Sequence, residues 1–204
     1  AKGVSLFLVD AATPGFTRGQ NLEKIGQHAG DTSELFFNDL RVPADALLGG
    51  VEGQGFVQMM RELPRERLII GVQAVYGAKG ALDATVKYVQ ERQAFGQAIG
   101  QFQNTRFTLA QCASDIAAAE AFLNASVAAY ERGELTPEAA SALKLHTTEV
   151  MGRVADACLQ LFGGYGYMAE YPISRFWTDA RVLRIYGGTS EIMKELVARS
   201  LLGR

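Results

Sequence analysis

The spacing of apolar residues changes character close to residue 54 of this chain. Before that point, apolar residues form short runs typical of strands, at Val4–Val9 and Glu34–Phe37, separated by glycine-rich and polar stretches. After it, apolar residues recur at steps of three and four, which is typical of amphipathic helices. We therefore expect strands and turns in residues 1–50 and helices in residues 51–204.

The first helical stretch is expected to be interrupted by a proline. Phe56–Leu63 is one apolar-periodic segment, and Pro64 is predicted to break or kink it, because proline lacks the N–H that a helix interior needs. A long helix then runs from about Arg65 to Arg92, with a stripe of glycine and alanine that permits close packing against another helix. The next predicted helix covers residues 104–132.

Three further helices have clear start or stop signals. Residues 136–138 supply an N-cap threonine, a first-turn proline and an acid, and the helix that they open is expected to stop near Phe162, before a run of glycines. Pro172 starts a short helix that extends to about Arg184, and Thr189 begins the last one. The expected fold is mainly α, with an antiparallel helical bundle of the four-helix type.

The two middle helices of this predicted bundle have recognisable apolar faces. The face of the second helix comprises Leu109, Ala113, Ile116, Leu123, Val127 and Tyr130. The face of the third helix comprises Leu143, Thr147, Val150, Val154, Cys158 and Leu161. These faces are expected to meet in the bundle core.

Composition narrows the class of protein only a little. Hydrophobic residues make up 48% of the 204 residues and charged residues 21%, which is ordinary for a globular protein. A net charge of −2 provides no electrostatic case for nucleic acid or for an anionic membrane, and no apolar run is long enough for a membrane span.

The few cysteines and histidines favour neither disulfides nor metal chemistry. Cys112 and Cys158 lie in helical patterns, so we expect buried free thiols and a reducing compartment. His28 and His146 are too isolated in sequence to indicate a metal site or a catalytic triad. No signal or transit peptide opens the chain, and we expect that it begins partway through a domain, because Val4–Val9 lacks an earlier partner strand.

Six blocks of sequence, taken in order, carry a family resemblance through nearly the whole chain. They are Asp31–Pro43, Glu91-Arg-Gln-Ala-Phe-Gly96 followed by Gln103, Gln160-Leu-Phe-Gly-Gly-Tyr-Gly-Tyr167, Glu170-Tyr-Pro172, Asp179-Ala-Arg181 and Ile185–Leu196. Their order and spacing resemble the C-terminal portion of the acyl-CoA dehydrogenases. The resemblance implies that residues 1–50 are the last strands of a β-barrel-like domain and that residues 51–204 form the helical bundle domain.

Glu66 and Gly187 indicate a particular branch of that family. In most members, a glutamate that acts as the catalytic base follows the tyrosine of the last block, whereas this chain has Gly187 after Tyr186. The long-chain and isovaleryl enzymes also have glycine there and carry the base on an earlier helix, in a motif similar to Pro64-Arg-Glu-Arg67. The resemblance therefore implies that Glu66 removes the α-proton, and the last block is more similar to the long-chain enzymes.

The resemblance also implies a set of cofactor and substrate contacts. The residues expected to contact FAD are Arg92, Phe95, Gln103, Gln160, Leu161, Phe162, Gly163, Gly164, Thr189, Ser190 and Glu191. The residues expected to contact the acyl-CoA substrate are Arg67, Tyr186, Gly187 and Gly188. A guanidinium suits phosphate oxygens and glycines let a backbone approach a ligand closely, but Arg92 taken alone would equally suit a solvated helix end, and Gly163 a plain helix stop.

The implied function is FAD-dependent α,β-dehydrogenation of an acyl-CoA, with electrons passed to an electron-transfer flavoprotein. The family assembles as a homotetramer, a dimer of dimers, located in the mitochondrial matrix of eukaryotes or the cytoplasm of bacteria. Two alternatives stay open at this point. One is an acyl-CoA oxidase or a related flavin monooxygenase on the same fold, and the other is a non-catalytic helical fragment that mediates subunit association.

Overall fold

The computed structural model describes residues 3–203, which divide into two compact units at residues 63 and 64. Within the described residues the chain forms five α-helices and four short strands. The predicted mainly helical fold is confirmed, and no sheet crosses residues 104–160, which lie almost entirely in two long helices.

The first unit contains an antiparallel pair of strands, β1 (Phe16–Asn21) and β2 (Ser33–Phe37). The prediction of a strand at Val4–Val9 is wrong, since that segment makes only an isolated bridge between Phe7 and Leu47. Strand β1 was not predicted, because its sequence is polar and glycine-containing. It is held by pairing with β2 rather than by its own strand propensity.

Helix α1 (Gly55–Glu91) is continuous for 37 residues and includes Pro64. The predicted break at Pro64 is therefore wrong. A proline within a helix removes one N–H donor, but the turns on either side keep their hydrogen bonds. The remainder of α1 carries a stripe of small residues, and Ala74, Ala78 and Ala81 are fully buried.

The second unit is built around α3 (Pro137–Phe162), which packs against α2 (Gln103–Glu131), α4 (Pro172–Leu183) and α5 (Ser190–Leu202). Two short strands, β3 (Gln93–Ala94) and β4 (Gln97–Ala98), form a tight hairpin between α1 and α2. The central position of α3 explains why both of its sides are buried.

The local signals at the ends of the helices are confirmed. The Thr136 hydroxyl accepts a hydrogen bond from the Ala139 N–H at 3.2 Å, and Pro137 occupies the first turn of α3. Gly163 ends α3 with a φ of 57°, and the chain continues as a 3₁₀ helix over Gly163–Tyr167. Thr189 caps α5 through the Ile192 N–H.

The core face of α2 differs from the predicted one. The buried residues of this helix are Thr105, Cys112, Ile116, Ala119, Leu123 and Ser126. Tyr130 is exposed, whereas Ala119 is fully buried, so small side chains face α3. Because the two helices pack closely, small residues occupy their contact face. A prediction based on the spacing of large apolar residues does not identify them.

Both cysteines are free and buried, as predicted. Between residues 3 and 203, no helix is both long enough and apolar enough to cross a bilayer.

Candidate functional site

The loop between α4 and α5 turns at two consecutive glycines. Gly187 has a φ of 66° and Gly188 a φ of 103°, conformations that side chains with a Cβ rarely adopt. A Cβ at Gly187 would lie 2.5 Å from Cδ1 of Ile70, and one at Gly188 would lie 2.5 Å from Cε of Met193. A residue with a Cβ at either position would therefore have to adopt a positive φ and displace the end of the Ile70 or the Met193 side chain.

Two buried cations hold the carbonyl oxygens of these glycines. Arg67 on α1 donates from Nε to the Gly187 carbonyl at 3.4 Å and from an Nη to the Ser141 hydroxyl at 3.0 Å. Lys144 on α3 donates from Nζ to the Gly188 carbonyl at 2.7 Å. The loop is thus tied to two different helices.

Burial perturbs the titration of both cations. Desolvation lowers the pKa of Arg67, and the neighbouring Glu66 carboxylate partly counteracts this. Lys144 is fully buried, and desolvation together with the nearby Arg67 charge lowers its pKa from 10.5 to about 8. Glu149 and Glu191 act in the opposite direction on Lys144.

Glu66 lies in the turn of α1 that faces this loop. The next residue, Arg67, contacts the Gly187 carbonyl, and Ile70, one helical turn further along, adjoins the Gly187 Cα. The Glu66 side chain itself is exposed. The turn that carries Glu66 therefore lies beside Gly187.

Tyr186 and Gln73 make a further link between the loop and α1. The Tyr186 hydroxyl donates to Oε1 of Gln73 at 2.7 Å, and the Tyr186 N–H donates to the Val182 carbonyl at 3.1 Å. Gly187 therefore follows a residue whose backbone and side chain are both anchored.

The start of α5 is already satisfied by groups of the protein itself. The Ser190 N–H donates to the Arg184 carbonyl, and the Ser190 hydroxyl donates to Oε1 of Glu149 at 2.8 Å. Hydrogen bonds from its own backbone N–H and then from the Thr189 hydroxyl lower the pKa of Glu191. The first-turn N–H groups of α5 therefore have partners without a bound anion.

A cavity of about 820 Å³ lies where α1, the β3–β4 hairpin and the end of α3 meet. It contains the Arg92 guanidinium, which lies 5.3 Å from the centre of the Tyr165 ring. Of the predicted cofactor residues, those that line it are Arg92, Phe95, Gln160, Leu161, Phe162, Gly163 and Gly164. Gln103 does not line it, but begins α2 between two lining residues, Phe102 and Thr105.

The turn of the β3–β4 hairpin holds Phe95 in an unusual conformation. Phe95 has a φ of 53° and Gly96 a φ of 83°, which are the signs of a two-residue type I′ turn. A bulky residue at positive φ is costly, and the Phe95 side chain is 95% exposed at the edge of the cavity. The tight turn therefore presents an exposed aromatic ring, which lies edge-on 6.2 Å from Phe102, at the edge of the cavity.

The glycines at the end of α3 leave open space at the cavity wall. No atom lies within 4 Å of a Cβ built at Gly163 or Gly164, so the backbone there is accessible. On the opposite side, Tyr88 stacks on Phe162 at 4.0 Å and donates its hydroxyl to the Phe162 carbonyl. Burial raises the pKa of Tyr88. A cation, accessible backbone and aromatic rings together suit a flat aromatic ligand that carries phosphate.

Comparison with known proteins decides the family. Residues 53–202 match the family model described as "Acyl-CoA dehydrogenase, C-terminal domain". The chain belongs to the acyl-CoA dehydrogenase family.

Individual relatives agree with this family. The chain is 46% identical over 202 residues to the mitochondrial long-chain specific acyl-CoA dehydrogenase of Sus scrofa, covering 99% of the chain and 47% of that protein. The crystal structure of an acyl-CoA dehydrogenase from Geobacillus kaustophilus superposes with a TM-score of 0.95 at 44% identity, covering 98% of this chain and 52% of that one. A glutaryl-CoA dehydrogenase from Mycobacterium smegmatis in complex with FADH2 superposes with a TM-score of 0.94 at 28% identity, covering 100% and 52%. The chain spans about half the length of the curated relatives that it matches.

Sequence reasoning missed Lys144 and its neighbour Ser141. The signal was present, because Lys144 interrupts a helical stripe of Ala140, Met151 and Ala155 that is otherwise apolar or small. A lysine at such a position is rarely buried without a role. Among the described residues, no group of three or more histidine, cysteine or acidic side chains is placed to hold a metal ion.

Proposed function

We propose that the protein catalyses α,β-dehydrogenation of an acyl-CoA thioester and that Glu66 is the base. The observation that carries this proposal is the contact between the α1 turn of Glu66 and the Gly187 loop, made by Arg67 and Ile70. Gly187 carries no carboxylate of its own, so the nearest exposed carboxylate on the facing turn is the candidate to remove the α-proton. The family relationship supports the same reaction.

In this proposal α1 provides the base, and the Gly187 loop provides the hydrogen-bond donor to the thioester. Glu66 accepts the α-proton, and the Gly187 N–H donates to the thioester oxygen, where negative charge develops as the proton leaves. Arg67, Tyr186 and Gly188 position the loop around the thioester. Glycine retains its N–H, so the absence of a side chain at position 187 does not remove the donor.

FAD is the proposed cofactor and fits the cavity residues. Arg92 would pair with phosphate oxygens, Phe95 would contact the adenine or the ribose, and the backbone of residues 160–164 would follow the diphosphate and ribityl chain. When bound, FAD accepts the hydride that leaves the β-carbon of the substrate. Gln103 would contribute an amide at the edge of the cavity. The N–H groups of residues 190–192 have internal partners, and Thr189, Ser190 and Glu191 do not line this cavity, so they are not assigned a phosphate contact here.

The proposal is tested with Glu66→Gln in the full-length protein loaded with FAD. The amide has nearly the same shape but cannot accept a proton, so anaerobic reduction of FAD by acyl-CoA is expected to slow by about 10²–10⁴-fold. FAD content and acyl-CoA affinity are expected to stay close to those of the parent. Stopped-flow absorbance of the flavin measures the rate directly.

The matched control is Glu62→Gln, which removes the same charge one turn earlier on α1. It is expected to reduce FAD at nearly the parent rate. A Glu66→Gln protein that also reduces FAD at the parent rate would assign the base elsewhere and leave the oxidase and monooxygenase alternatives open, whereas a parent that reduces no FAD would favour the non-catalytic one. Exposing the reduced parent to oxygen separates the first two from a dehydrogenase, because an oxidase or a monooxygenase reoxidises rapidly in air.

The remaining proposals follow the family. We propose an electron-transfer flavoprotein as the electron acceptor, a homotetramer as the assembly and a long-chain rather than an isovaleryl-type substrate. The domain division is proposed to fall at residues 50 and 51. The relative from Sus scrofa is mitochondrial, and the same location is proposed here for a eukaryotic source, with the cytoplasm for a bacterial one.

A further inference from the structure

Two buried cations converge on one short stretch of loop backbone. Lys144 Nζ lies 2.7 Å from the Gly188 carbonyl oxygen, and Arg67 Nε lies 3.4 Å from the Gly187 carbonyl oxygen. Arg67 is 5% exposed and Lys144 is 0% exposed. Two like charges in one dry region repel each other and lose their hydration, so this arrangement costs stability unless the contacts offset it.

The Gly187–Gly188 stretch needs external anchors because neither glycine has a side chain that could restrain it. Gly187 and Gly188 have φ values of 66° and 103°, and glycine visits many other backbone conformations at little cost. The peptide group that carries the Gly187 N–H is fixed on one side by Tyr186, whose N–H bonds to Val182. On its other side, the contacts to the Gly187 and Gly188 carbonyls restrain it before the next anchored residue, Ser190.

We infer that Lys144 is a positioning residue for the reaction, which with Arg67 orients the Gly187–Gly188 backbone so that the Gly187 N–H points at the thioester oxygen. The inference rests on the proposed function, because it assigns Lys144 to the oxyanion site of that reaction. Lys144 does not touch the substrate. It acts through the Gly188 carbonyl, 44 positions away in sequence.

The effect of Lys144 is expected in the transition state rather than in substrate binding. An N–H that points slightly away from the oxyanion still permits binding of the CoA portion, but it stabilises the developing charge less well. Removing the buried Lys144 charge relieves its desolvation and its repulsion by Arg67, but it leaves the Gly188 carbonyl without that donor, so the two effects on stability oppose each other. Lys144→Met is therefore expected to change thermal stability little while it lowers turnover, a combination that a merely structural lysine would not produce.

The experiment uses the full-length, FAD-loaded protein and its Lys144→Met variant, with Lys79→Met as the matched control. Lys79 lies on α1 of the same bundle and pairs at 2.7 Å with Glu120 at the surface. Lys144→Met is expected to lower kcat by about 10–100-fold and to change KM by less than about three-fold, as expected for loss of one oriented donor. Lys79→Met is expected to leave both unchanged.

A readout without turnover measures the oxyanion site directly. A 3-oxoacyl-CoA binds as a product analogue and forms an enolate whose absorbance reports the pKa of its acidic CH₂ group. The parent is expected to lower this pKa, and Lys144→Met is expected to lose about one unit of that effect, equivalent to about ten-fold. Lys144→Gln, which keeps an N–H donor without the charge, is expected to lie between the two.

Three outcomes would overturn the inference. They are a Lys144→Met protein whose kcat lies within about two-fold of the parent, an enolate pKa that does not change, and loss of folded, FAD-loaded protein in both Lys144 variants. The last would show that Lys144 serves the fold. A parent that dehydrogenates no acyl-CoA would instead refute the proposed function, whereas an active parent with an equally active Lys144→Met would refute only the positioning role.

Discussion

Gly187 is a position where adding one methyl group tests the geometry of the site. The Cβ of an alanine there would lie 2.5 Å from Cδ1 of Ile70, and the residue would have to keep a φ of 66°. Ile70→Val removes the methyl group that causes the clash and leaves the backbone conformation unchanged. The two substitutions, alone and together, therefore form a double-mutant cycle that isolates this one contact.

The expected magnitudes follow from the two separate costs. A residue with a Cβ in the left-handed region costs about 1–2 kcal/mol, and moving Ile70 away from its rotamer adds about 0.5–1.5 kcal/mol. Gly187→Ala is thus expected to lower the free energy of unfolding by about 1.5–3.5 kcal/mol. Ile70→Val alone costs about 0.5–1.5 kcal/mol. In the double variant the clash is absent, so we expect a favourable coupling of about 0.5–1.5 kcal/mol.

The assay is urea unfolding of the four proteins at equal FAD loading, followed by far-UV circular dichroism. The denaturant slopes must agree before the free energies are compared. If the costs of the two single substitutions add to within about 0.3 kcal/mol, Ile70 does not limit the space at Gly187, and the close approach of α1 to the loop is refuted.

The same geometry limits the rescue of the catalytic base. Gly187→Glu added to Glu66→Gln places a carboxylate where most of the family has one, and it is expected to recover part of the lost activity. Adding Ile70→Val is expected to increase this recovery, because it provides space for the new Cβ. If the triple variant reduces FAD no faster than Glu66→Gln alone, a carboxylate at position 187 cannot reach the α-carbon in this chain.

Three further predictions concern a cap, the cofactor cavity and pH. Thr136→Ala removes the hydrogen bond to the Ala139 N–H and is expected to cost about 1 kcal/mol in urea unfolding, and an unchanged midpoint would contradict this. Arg92→Ala is expected to weaken FAD binding at least about ten-fold by fluorescence titration, because the cation beside Tyr165 is lost. An unchanged affinity would show that another residue contacts the phosphate. The pKa of Lys144 is about 8 in the fold, against 10.5 when unperturbed, so the folded state loses its proton first as pH rises. The stability of the parent relative to Lys144→Met is therefore expected to increase from about pH 8 to 9.5, and no change with pH would contradict that shift.

Signals that act between neighbouring residues were readable from the sequence. The Thr136–Pro137 start of α3, the stop at Gly163 and the Thr189 cap of α5 all depend on hydrogen bonds or dihedral angles within one turn. Pro64 shows the limit of such signals, because α1 continues through it. At Pro64 the one missing N–H is outweighed by the many other hydrogen bonds of a long helix. A rule that considers only a residue and its neighbours does not include those other hydrogen bonds.

Side-chain environments that arise between elements were less predictable. The predicted face of α2 relied on large apolar residues, whereas close packing against α3 buries Ala119 and leaves Tyr130 exposed. Strand β1 likewise has little strand propensity of its own and exists because β2 pairs with it. In both cases the neighbouring element, α3 or β2, determines which residues are buried or paired. The local sequence pattern does not identify that neighbour.

Residue types at fixed spacings within each motif were sufficient to assign the family and the helical architecture, and they predict the pairing of Glu66 with Gly187. The groups that hold the Gly187–Gly188 backbone could be identified only from the packed fold. Arg67 lies 120 positions from Gly187 and Lys144 lies 44 positions from Gly188, so no spacing rule connects them. Three elements must pack before these cations meet the loop, and the resulting burial, rather than the residue type, changes the pKa of Lys144.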